Sequence, residues 1–117
     1  MVMKRLIADV ERAQLLDNAA ANARGDRRDP LPVVKLYTPD ARAVWLLTEL
    51  DPEDGDTAYG LSDAGLGAPE LGHVRLSDLE SIRGPHGLLI ARDPTFTAKH
   101  SLSEYFRRSQ ADGSIND

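Results

Sequence analysis

The chain has 117 residues, a formal net charge of -5, a pI near 5.1 and no cysteine. That length suits one domain with a single modest core. The lack of cysteine excludes a disulfide framework and a thiolate zinc site, and the acidic balance argues against direct binding to nucleic acid or an anionic membrane. No stretch has the apolar length of a membrane span, and the opening MVMKRLIADVERA lacks the apolar run of a signal peptide, so a cytoplasmic protein is expected.

The first element is a helix from about Ala8 to Ala23. Leu6, Val10, Ala13 and Leu16 or Asp17 recur at helical spacing, and Gly25 can supply a left-handed cap. The polar connection GDRRDPLP, with its small cluster Arg24, Arg27 and Arg28, leads to Val33–Tyr37 and Ala43–Leu50. Both runs are rich in residues that suit a pleated surface, and Thr38-Pro39-Asp40 supplies turn chemistry between them. In the second run Val44, Leu46, Thr48 and Leu50 alternate with Trp45, Leu47 and Glu49. Apolar groups on both faces mark a central strand covered on each side.

Thr57–Leu61 reads as a third strand, in which Gly60 signals a bulge or a close backbone approach. Glu70–Leu76 reads as a fourth. Ser77 and Glu80 have capping-box spacing for a short helix stopped by Gly84-Pro85, and Leu88–Ala91 is a small apolar run suited to an edge strand. Ser101 and Glu104 form a second capping box, opening a helix to about Gln110; residues 111–117 read as a flexible tail after a single domain of 1–110. The short turns forbid parallel pairing. The expected fold is therefore α+β: an antiparallel four-stranded meander sheet with an N-terminal helix, a short helix after the fourth strand and a C-terminal helix.

Charge is distributed unevenly. Between Arg42 and Arg75 there is no lysine or arginine, while that span holds Glu49, Asp51, Glu53, Asp54, Asp56, Asp63 and Glu70. Aspartate, proline and glycine are ordinary turn residues, and turn chemistry is the plain account of them. The functional account is an acidic edge of Glu49, Asp51, Glu53, Asp54 and Asp56 that binds a basic protein partner.

Other chemistries are poorly supported. Counted from Asp51, a calcium loop would need glycine at the sixth position and glutamate at the twelfth, but Gly55 stands at the fifth and Ser62 at the twelfth. His73, His86 and His100 are scattered, with no metal-ligand spacing, and His73 reads as a structural histidine. Arg83 before Gly84 reads as a basic residue complementing a helix C-terminus. No nucleophile elbow, dinucleotide fingerprint or Walker lysine is present, so no cofactor, metal or catalytic residue is called for.

Several motifs taken together carry a resemblance: YTPD (Tyr37–Asp40), Trp45 with Thr48, Glu49 and Asp51, YGL (Tyr59–Leu61), ELG (Glu70–Gly72), LSDLESIRGP-x-GL (Leu76–Leu88) and Arg92-Asp93 with Phe96. The chain resembles a bacterial domain-of-unknown-function family of about this length, common on plasmids and integrated mobile elements. That family usually has glutamate where this chain has Ala91. The resemblance implies a small accessory protein, a protein-interaction module in plasmid maintenance or defence evasion. The alternative expectation is a metal-assisted hydrolase or nuclease-like enzyme using Glu49, Asp51, Asp54 and Asp56.

Overall fold

The computed structural model describes residues 6–26 and 29–117; Arg27 and Arg28 of the polar connection lie outside the described residues, as do residues 1–5. Helix α1 spans Asp9–Ala23, where the carboxylate of Glu11 accepts the Ala8 N–H at 2.8 Å and Gly25 takes a φ of 81° past the last turn. Its inward face is the expected one only in part, since Leu16 packs against the core but Val10 and Ala13 are exposed. Leu15 and Ala21 are buried and Asn18 donates to the Thr48 carbonyl at 2.9 Å, whereas Val10 is 77% exposed. Leu6 and Ile7 enter the core from the segment ahead of the helix, so the helical spacing counted from Leu6 starts a turn too early.

The sheet has five antiparallel strands in the order β4-β3-β2-β1-β5, with β1 at Val34–Tyr37, β2 at Val44–Leu50, β3 at Thr57–Asp63, β4 at Glu70–Arg75 and β5 at Ala91–Arg92. The four-stranded expectation falls one short. After the short helix the chain returns to the free edge of β1, where Ala91 pairs with Tyr37 and Arg92 with Leu36. β2 is the middle strand, covered on both faces. On one side α1 and the short helix α2 (Leu76–Ser81) enclose Leu15, Val34, Leu36, Trp45, Leu47, Leu50 and Leu79. On the other, α3 (Leu102–Asp112) packs Leu102 and Tyr105 onto Leu46 and Leu61.

Strict alternation along β2 ends at a bulge between Leu47 and Glu49. The extra residue, Thr48, sends its hydroxyl to the Tyr59 carbonyl at 3.3 Å, and Leu50 joins Trp45 and Leu47 rather than Val44 and Leu46. Gly60 explains itself nearby: a Cβ there would lie 2.0 Å from the Leu46 carbonyl oxygen. Ser101 caps α3, accepting the Glu104 N–H at 3.4 Å, while the Glu104 side chain turns to Arg107 and Arg108 instead of back to the cap. The helix passes Gln110 and ends at Gly113, whose φ is 72°. Of residues 111–117, read from sequence as a tail, Ile115 packs against the second core cluster and Asp117 pairs with Lys35 at 2.9 Å.

Candidate functional site

The acidic loop from Asp51 to Asp56 joins β2 to β3, and the carboxylates of Asp51 and Asp54 bond the loop's own backbone. Asp51 accepts the Glu53 N–H at 2.9 Å. Asp54 accepts the N–H groups of Asp56 and Thr57, each at 2.9 Å, and the Thr57 hydroxyl at 2.6 Å. That hydroxyl, with the two amides, holds the Asp54 pKa down at about 2.

Asp56 reaches furthest. Its backbone carbonyl accepts the Leu76 N–H, and its carboxylate takes the Ser77 N–H at 2.9 Å, the Ser77 hydroxyl at 2.6 Å and Arg75 Nε at 3.2 Å. A loop carboxylate thus caps α2. The expected capping box at Ser77 and Glu80 is absent: Arg75 occupies the N-cap position and its side chain makes no capping bond to the helix, and Ser77 is a donor to Asp56. An ionised acceptor bonds a helix N-terminus more strongly than a neutral hydroxyl, which is why the remote aspartate takes the position. Arg12 closes the loop from the α1 side with a 3.2 Å bond to the Gly55 carbonyl.

Glu49 stands apart from this group. It pairs with Tyr59 in register, and Tyr59 pairs with His73, whose ring lies 5.0 Å from the tyrosine ring. Burial raises the Glu49 pKa and the charge of His73 partly offsets it. Glu49, Asp51, Asp54 and Asp56 therefore do not converge, and among the described residues no group of three or more histidines or acids could hold a metal ion. Glu53 is exposed on the loop; Asp78 and Glu80 are exposed on α2 beside it, and none of these three carboxylates has a bonding partner among the described residues.

One acid acts where sequence reasoning did not look. Asp40 was expected to bond its own turn, and Thr38 does so, accepting the Ala43 N–H at 3.0 Å. Asp40 instead reaches across to the loop after α2, accepting the His86 N–H at 2.7 Å and, more weakly, that of Leu88 at 3.5 Å. Its Oδ1 is buried without a hydrogen bond, against Gly84, where a Cβ would lie 1.6 Å away. Arg83 donates to the Gly87 carbonyl at 3.0 Å rather than to a helix end. The YTPD and RGP-x-GL motifs are two halves of one clasp, a pairing that no local spacing reveals.

These features define a small single-domain α+β protein, its antiparallel sheet packed on both faces and an acidic loop locked to a helix N-terminus. The chain belongs to the family described as protein of unknown function (DUF2958), which it matches over residues 6–116. No curated protein and no solved structure matches it. Among the described residues no helix is long and apolar enough to cross a membrane.

Proposed function

We propose that this chain is a protein-binding module that meets a basic surface of its partner through the acidic edge formed by loop 51–56 and α2. The observation that carries this reading is the set of free carboxylates, Glu53, Asp78 and Glu80, presented on a loop and helix that Asp51, Asp54 and Asp56 hold rigid. Fixed charges lose little ordering entropy on binding and steer encounter with a surface of opposite sign. Turn geometry accounts for the pinned aspartates, but it gives no role to the three free acids. An accessory part in plasmid maintenance or defence evasion, which the motif resemblance implies, is one that such a module would serve.

The discriminating variant is Glu53→Gln, Asp78→Asn and Glu80→Gln together, which leaves every loop hydrogen bond in place. After affinity capture from a host lysate has identified the partner, stopped-flow mixing should show association slowed about 10-fold at low salt, with a flattened salt dependence. Wild-type rates at both low and high salt would refute the reading.

A further inference from the structure

We propose that the apolar pocket beyond α2 is a second part of the same contact surface, taking an apolar side chain from a segment whose basic residues lie along the acidic edge. This rests on the preceding reading and names what the partner must present. The pocket has a volume of about 300 Å³ and is lined by Leu6, Glu80, Leu89, Ile90, Arg92 and Pro94, with Ala91 between them. Leu89 of the lining is 39% exposed, and Ile82 and Leu88 of the same loop from α2 to β5 are exposed by 39% and 50%. Large apolar side chains gathered at one rigid place mark an interaction site more than a scatter of single ones does.

The loop is rigid for stated reasons. Asp40 holds the His86 amide, Gly84 N–H donates to the Leu88 carbonyl at 2.8 Å, and Arg83 bridges to Leu89. The Leu89 side of the pocket, held in this way, needs little ordering to receive a side chain.

Its charge selects the occupant. Among the described residues Arg92 is the only cation of the lining and is paired with Glu11 at 3.3 Å, whereas Glu80 is exposed and has no partner among them. The unbalanced charge that these residues place at the mouth is that of Glu80. Ser77 and Glu80, three residues apart, share a face of α2, and Ser77 holds Asp56, whose charge Arg75 pairs, so Glu80 at the mouth and the acidic loop lie roughly 10 Å apart. An extended segment covers that distance in about three residues. The occupant is an extended protein segment with one large apolar side chain, followed within about two to four residues by lysine or arginine.

Two synthetic probes test this: a peptide with one leucine followed by two glycine-spaced lysines, and its counterpart with alanine in place of leucine. Titrated into the isotope-labelled chain at low salt, the leucine peptide should shift the amide resonances of Leu89, Ile90 and Ala91 together with those of Asp78 and Glu80. The alanine peptide should bind at least 5-fold more weakly and shift only the α2 and loop signals. Leu89→Ser should abolish that difference, and because the comparison of peptides uses the unaltered chain, it stands whatever the variant does to folding. Equal binding of both peptides, with shifts confined to the acidic edge, overturns the pocket while leaving the acidic-edge reading standing. Binding of neither overturns both. Pocket binding that a lysine-free leucine peptide reproduces in full overturns the charge selection.

Discussion

Substituting Gly84 tests the clasp between the two distant motifs. A Cβ at that position would lie 1.6 Å from Oδ1, 2.4 Å from Cγ and 2.8 Å from Oδ2 of Asp40, so in Gly84→Ala the carboxylate must leave. It then loses the His86 N–H at 2.7 Å and the weaker contact to Leu88 at 3.5 Å. A hydrogen bond to a charged acceptor contributes about 1.5–3 kcal/mol net, so Gly84→Ala should cost about that much. Asp40→Ala removes the same bond from the other side and should cost a similar amount. The double variant should lie within about 0.5 kcal/mol of Asp40→Ala alone, because the steric conflict has gone with the carboxylate. Urea unfolding of the four proteins gives the cycle directly. Additive costs, or a Gly84→Ala loss below about 0.5 kcal/mol, would refute the clasp.

Other expectations follow from the same contacts. Trp45→Ala, at a residue only 9% exposed, should cost about 3–5 kcal/mol in a urea melt, and a loss under about 1 kcal/mol would reject its packing role. Gly60→Ala should destabilise by at least about 1–3 kcal/mol because its Cβ meets backbone, while Gly72→Ala, whose Cβ meets nothing within 4 Å, should stay within about 0.5 kcal/mol; thermal melts of the pair check the contrast. Asp54 and Glu104 are held at about 2 from ordinary values of 3.8 and 4.5, so their stabilisation is complete above those ordinary values and is lost as pH falls toward 2. Glu49 has the opposite sign: its pKa is raised by burial, so ionisation disfavours the fold, and Glu49→Gln should stabilise at neutral pH with a gain that disappears in acid. Unfolding curves measured across that pH range separate the two.

Period and turn chemistry are local, and what they govern was legible. The runs around Val34 and Trp45, the Gly-bearing third strand, the Ser101 cap and the central place of β2 all follow from neighbours within a few residues. What was not legible depends on partners far along the chain. Ser77 has the spacing of a cap, yet Asp56, 21 residues earlier, supplies the stronger acceptor. Leu88–Ala91 read as a run suited to an edge strand, but the strand is Ala91–Arg92, and its pairing with the free edge of β1 depends on residues far back along the chain. At the candidate site the density of acids was plain, but the division into pinned aspartates and free carboxylates was not. That division depends on where backbone N–H groups point. The exposed leucines beside α2 could have been noticed as an apolar pair next to glycine, although their grouping into a pocket needed the return of the chain to β1.

The strand order also sets an order of assembly. β2, β3, β4 and α2 join through neighbours in sequence, so their contacts close small loops, whereas the Asp40–His86 bond spans 46 residues and the β5 seam closes a longer one still. Loop closure adds about 0.6 kcal/mol of entropic cost for each doubling of length, which favours the meander first and the seam last. With two paired residues and one flanking bond from Asp93 N–H to the Lys35 carbonyl, that seam should also open before the rest of the sheet. Its amides should exchange with solvent ahead of those of β2. Because Ile90 and Ala91 form a wall of the pocket, such opening would unmake and remake the pocket many times for each unfolding of the whole chain.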